Sequence, residues 1–369
     1  MRVRRLFEEL LRHKPAAIGL DISRTYVGRE ESFSVASDAI RLKALLQDER
    51  VYVVCKVPIP PPKSIPGSSF PPELAPEQIG FSDFIGKQDR ALRRHLLWIN
   101  LKNNPQDICP AEYSFNLELA NKYLESRNID SETSSDEELV QWVEGELFLA
   151  GTLIPRVIQG DGGYQDNVDT GDYQTMLNYR APDGDPKQVV SRISLENVLI
   201  GNFPDHFFEN RVVLIGRVDQ QNRDFDDSWT IPYRNVEIPG ILVHAQMVSH
   251  LLSGVLNQTE EDQELHRPFL KIVYGLQETS WFLACLAMGC GAFFLTRQLS
   301  RQPLKTSVVP LVVINVIGVA IVYFVSVICF VQFNMWLACI PAALAFMTSS
   351  VVGAAIYIPK HTVQAQIKS

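Results

Sequence analysis

The residues best suited to chemistry are carboxylates gathered in two loops. Asp161, Asp166, Asp169 and Asp172 share a glycine-rich stretch, DGGYQDNVDTGD. Several carboxylate and carbonyl oxygens in one loop could hold a hard cation such as calcium. The spacing does not match the helix–loop–helix calcium loop, and Gly and Asp equally make turns, which is the reading adopted. Asp219, Asp224, Asp226 and Asp227 form the second loop, just after the apolar run 212–215. In an open α/β sheet, ligands collect outside the carboxyl ends of the strands. Asp21 ends another apolar run and would line the same edge, and Asp83 closes a third. Asp21, Asp83, Asp219 and Asp224 are therefore the candidate ligand-binding residues.

Other constellations carry less. No Gly-x-Ser-x-Gly elbow, phosphate loop or Gly-x-Gly-x-x-Gly turn occurs. His244 and His250 are six apart on one expected helix, so they cannot share a metal as an i, i+4 pair would. They read as structural or surface histidines. Six cysteines form no zinc pattern. Cys285, Cys290, Cys329 and Cys339 fall in apolar segments and read as small hydrophobes. Cys55 and Cys109 could pair in an oxidising compartment or remain thiols. No metal and no cofactor is expected. The net charge of -8 argues against a nucleic-acid partner, which would call for a basic patch.

The elements that must position these residues follow from periodicity. Helix 3–13 feeds strand 16–22, and a helix around 36–48 feeds strand 51–57. Such helix-then-buried-strand units predict a largely parallel sheet with flanking helices. Residues 58–76 are too proline-dense for regular structure. Strands are expected at 79–83, 95–101, 173–179 and 212–215, and helices at 113–127 and 239–252. A short helix is expected around 138–143, after the polar loop 131–138.

The last quarter changes character. Residues 279–296, 307–331 and 335–358 are apolar and uncharged, as a span of about 20 residues through lipid must be. Loop 297–306 carries Arg297, Arg301 and Lys305 without an acid, and the tail 359–369 carries Lys360 and Lys368. Positive loops stay in the cytoplasm. The reading is a globular part outside, three transmembrane helices, and a cytoplasmic C-terminus. Gly289, Gly291, Ala342, Ala343 and Ala345 suit close helix packing. Residues 1–256 would form the globular domain and 257–278 a linker. The first fifteen residues read as an amphipathic helix without the apolar core of an export signal, so the chain is expected to begin partway through a domain.

These segments together resemble the CHASE2 sensor domain. The matching stretches include PAAIGLDI at 15–22, VVCKV at 53–57, IGFSD at 79–83, SFNLEL at 114–119, YQTMLNYR at 173–180, RVVLIG at 211–216 and PGILVHAQ at 239–246. The resemblance implies an extracytoplasmic sensing domain joined to membrane helices that lead to a cytoplasmic output, such as a histidine kinase or nucleotide cyclase. It also implies a Cys55–Cys109 disulfide. The segments 217–221 and 228–233 follow the family pattern only loosely. The chain is thus expected to be a membrane-anchored sensor input module rather than an enzyme, without an output domain of its own. It would answer a small molecule or environmental stimulus, work with a separate kinase or cyclase, and be capable of forming a homodimer. The rival is a membrane-bound extracytoplasmic enzyme with a carboxylate-lined pocket. A channel ranks last, because uncharged helices offer no polar path.

Overall fold

The structure is a computed structural model. It describes residues 2–22, 43–58, 67–68, 74–85, 91–101, 108–127, 138–158, 172–218, 227–233, 236–256, 268–272, 276–299 and 308–352. Two compact units result, one of Met1–Val157 with Thr170–Phe269, the other of Ile158–Asp169 with Leu270–Ser369.

In chain order the first unit contains α1 (Arg2–Arg12), β1 (Ala17–Asp21), β2 (Val51–Cys55), β3 (Ile79–Phe81), β4 (Arg94–Trp98), α2 (Phe115–Ser126), β5 (Val140–Val143), β6 (Glu146–Leu149), β7 (Thr152–Leu153), β8 (Tyr173–Met176), α3 (Leu195–Leu199), β9 (Val212–Gly216), β10 (Ser228–Thr230), β11 (Glu237–Pro239) and α4 (Gly240–Val255). The central sheet has the order β3-β2-β1-β9, and every pair in it is parallel. Strands covered on both faces must be apolar throughout, and β2 (VYVVC) is buried at all five positions. The period of two sorts these side chains. Ile18, Leu20, Val51, Val53 and Cys55 pack with Leu6, Phe7 and Leu10 of α1. Ala17, Tyr52 and Val54 pack with Phe115 and Leu119 of α2 and Val248 of α4.

Glycine sets how closely α2 approaches. A Cβ at Gly80 would lie 2.5 Å from the Phe115 backbone nitrogen, and one at Gly19 would lie 2.6 Å from Phe115 Cζ. Helix α2 starts where the Ser114 hydroxyl accepts from Leu117 N–H at 3.2 Å, satisfying one of the donors a helix start leaves open. Away from the central sheet, β4 pairs antiparallel with β8, and β10 with β11.

The expected helix around 138–143 is not formed. Instead β5, β6 and β7 make two successive antiparallel hairpins. Glu144 and Gly145 have φ of 53° and 86°, and Ala150 and Gly151 have 46° and 73°. Two residues of positive φ in a two-residue loop make the turn whose twist suits a hairpin. The flanking Trp142 packs edge-on to Trp98 and Tyr173 and donates to the Tyr113 hydroxyl at 2.9 Å. The expected helix at 36–48 and the loops 58–76 and 131–138 fall largely outside the described residues.

The second unit contains β12 (Lys271–Ile272), α5 (Leu276–Leu299), α6 (Val308–Phe333), β13 (Met335–Trp336) and α7 (Cys339–Val352). The third apolar segment begins later as a helix than expected, because Met335 and Trp336 pair in parallel with Lys271 and Ile272. Cys285, Ala292, Val322, Ala342, Ala343 and Phe346 form the core of these helices. A Cβ at Gly289 would collide with Ser349 and Phe346, whereas one at Gly291 would meet nothing within 4 Å. Of the two glycines read as packing residues, only Gly289 serves that end. Among the described residues one helix is long and apolar enough to cross a membrane, Leu311–Phe333, with mean hydropathy 2.8. Thr279–Ala292 and Cys339–Val352 are shorter apolar helices.

Candidate functional site

The carboxyl edge of the parallel sheet gathers charge. Asp21 is the last residue of β1, Lys56 follows β2, and Asp83 lies just past β3. Asp227 precedes β10, and the Asp227 carbonyl accepts from Gly240 N–H at 2.8 Å where α4 begins. The Asp227 carboxylate occupies the space a side chain at 240 would need, so Gly240 lets a negative charge sit at the positive end of α4. Lys56 acts electrostatically on Asp21, Asp83 and Asp227 alike.

Burial sets the protonation of these acids. Asp21 is pushed up to about 6 by burial, opposed by the Lys56 ammonium. Asp83 is also raised by burial, although its Oδ2 accepts from Val57 N–H at 3.0 Å. Asp227 is raised by burial and secondarily by Asp21, while its Oδ1 accepts from Trp229 Nε1–H at 3.1 Å.

His244, in the second turn of α4, joins this edge to the interior. Its Nε2 is 3.8 Å from Asp21 Oδ2, and its Nδ1 is 2.9 Å from Asn116 Oδ1. Burial pushes His244 down to about 3, so the ring is neutral at physiological pH. An amide oxygen only accepts, so Nδ1 carries the proton and Nε2 offers a lone pair towards Asp21. Two acceptors facing one another favour a shared proton or an arriving donor. Phe84 lies between the rings of His244 and Trp229, with centroids 4.6 and 5.0 Å away. Behind His244, Asn116 Nδ2 reaches His95 Nε2 at 3.3 Å. His95 is buried and also held well below the usual imidazole range.

The structure therefore brings Asp21 and Asp83 to one edge. Asp219 and Asp224 lie outside the described residues, as does the acidic loop 161–171. Asp172, at the end of that loop, has φ +57° and accepts from Asn100 N–H at 2.9 Å, which is a turn role. His244 and His250 make different contacts, although both act electrostatically on buried His95; His250 packs edge-on to Phe269 at 5.1 Å. Among the described residues no group of three or more His, Cys, Asp or Glu is disposed to hold a metal. Cys55 and Cys109 are joined by a disulfide, with Cα atoms 5.4 Å apart. Sequence reasoning named Asp227 only as part of a loop and tested His244 only against metal spacing. Lys56, Asn116 and His95 gave no local signal, since each acquires its partners from distant segments.

An α/β domain with an open, carboxylate-lined edge and apolar helices is the class this geometry defines. The CHASE2 domain profile matches residues 1–291, so the chain belongs to the CHASE2 domain family, a family of extracytoplasmic sensory domains. No curated protein and no solved structure matches the chain.

Proposed function

We propose that this chain is a membrane-anchored sensor input module whose α/β domain lies outside the cytoplasm. The observation that carries this reading is a family match running without interruption from the α/β domain into the first apolar helix. Three segments cross the bilayer, with loop 297–306 and the C-terminus inside. The positive charge of that loop supports this orientation, as does the exposure of the apolar side chains of α6, such as Val316, Phe324 and Val331. The stimulus acts at the carboxyl edge, where Asp21, Asp83 and His244 lie, together with the acidic loop that carries Asp219 and Asp224. A ligand there shifts the domain between two packings by its differential affinity for them. The helices carry that shift to a kinase or nucleotide cyclase by rigid-body or sliding motion.

The test is labelling of intact cells with a membrane-impermeant maleimide, after the four cysteines of the apolar segments are replaced by alanine. Ser191→Cys is expected to label at once and Gln302→Cys only after permeabilisation. The reverse pattern would reject the orientation, and a chain that fractionates as a soluble protein without detergent would reject the membrane anchor.

A further inference from the structure

A cleft of about 820 Å³ opens at the other end of the sheet, beside the first residues of β2 and β3 and the outer face of α2. Six glutamates line it against one lysine, Lys122, and that lysine is engaged by Glu49 and Glu125 at 3.5 and 3.4 Å. Acidity alone would describe a solvated surface. Three polar groups inside the cleft indicate more.

Tyr52 is only 7% exposed and lines the cleft, yet its hydroxyl makes no hydrogen bond among the described residues. The carboxylate of Glu118, on α2 facing it, has neither hydrogen bond nor ion pair among the described residues. Asn121, one turn on, spends its amide N–H on Glu125 Oε1 at 2.9 Å, and its buried Oδ1 has no partner among the described residues. A buried acceptor without a donor, such as Asn121 Oδ1, costs about 1–3 kcal/mol. Burial, then Glu125 and Glu77, pushes Glu118 up to about 8, as expected of a carboxyl lacking a counter-charge.

With Lys122 engaged by Glu49 and Glu125, no described residue supplies Glu118 and Asn121 Oδ1 with a positive charge that brings N–H donors. The described residues hold no carboxylate arrangement for a metal ion, and the space far exceeds one ion. Tyr113, Leu117, Leu139 and Val140 add apolar wall, which suits methylene groups between nitrogens. We propose that this cleft binds an organic cation carrying amine N–H groups on a hydrocarbon chain, of the linear polyamine class. The ammonium would meet Glu118 and Asn121 Oδ1, with Tyr52 donating to or accepting from the same ligand. This site is separate from the carboxyl edge and does not rest on the sensor reading.

The test is calorimetric titration of the full chain, in detergent, with spermidine. Saturable binding is expected. Tyr52→Phe and Glu118→Gln should each weaken it about tenfold or more, and the exposed control Asp205→Asn should leave it unchanged. Near neutral pH the ammonium displaces the Glu118 proton. The measured heat should therefore vary with buffer ionisation enthalpy, by on the order of one proton per ligand, and this dependence should vanish in Glu118→Gln. Should Glu118→Gln fail to fold by circular dichroism, Tyr52→Phe decides alone. Absence of saturable binding at ligand concentrations on the order of 1 mM, equal binding by wild type and Tyr52→Phe, or calcium binding that spermidine does not displace would each overturn the proposal.

Discussion

Asp21 shows what a single buried acid costs and what it prepares. Its side chain is 15% exposed and faces a neutral imidazole 3.8 Å away, so its charged form is penalised in the folded state. A carboxyl raised from 3.8 to about 6 adds stability that is complete below pH 3.8 and lost as pH rises through 6. Asp21→Asn removes that loss. In denaturant titrations of the detergent-solubilised chain, the variant should gain about 2.4 kcal/mol on wild type between pH 4 and pH 8. A gain that does not change with pH would show that Asp21 is solvated. His244 slopes the other way: held at about 3, it favours the fold above 6.5 and loses that contribution as pH falls towards 3. An acid kept unstable beside a lone pair is the kind of site where function outweighs stability.

Among the elements, the contact of α2 with the sheet is the least forgiving. Gly80 faces the Phe115 backbone, which cannot rotate away as a side chain can. Gly80→Ala should therefore lower stability by about 2 kcal/mol or more. The hairpin glycine Gly145 is different: its φ is +86° with nothing within 4 Å. Gly145→Ala should cost only the strain of that conformation, about 1 kcal/mol. Thermal unfolding of the two variants distinguishes them, and equal losses would contradict the close approach of α2. The same elements show where sequence reading succeeds. Strands β1 and β2 were legible because both faces are covered and the runs are apolar, and the half-buried edge strand β9 because its run is apolar. The hairpin at β5 and β6 was not, because four-residue strands beside an acidic loop have no period to read, and Glu-Gly and Ala-Gly are modest turn signals.

For the molecule as a whole, the disulfide ties the end of β2 to the segment between β4 and α2. It spans 54 residues, and closing a loop of that length in the unfolded chain corresponds to about 4 kcal/mol in the chain-entropy view. Replacing Cys55 and Cys109 together with serine should lower stability by up to about that amount. Reduction of wild type with dithiothreitol should bring it to the level of the variant, and a double variant as stable as wild type would remove the disulfide from the account of the fold. Cys55 faces the α1 side of the sheet, among Ile18, Val53 and Phe81, so the bond is shielded as well as constraining.

The local features are readable from the order of residues: the apolar runs that become the parallel sheet, the stripe on α1, the long uncharged segments, and the ordered motifs that resemble CHASE2. Each follows from neighbours a few residues apart, where composition and period dictate burial. Which polar groups meet is a product of the packed fold. Asp21 and His244, or Tyr52 and Glu118, are far apart in the chain, and their altered proton affinities exist only because folding removes water and counter-charge from around them.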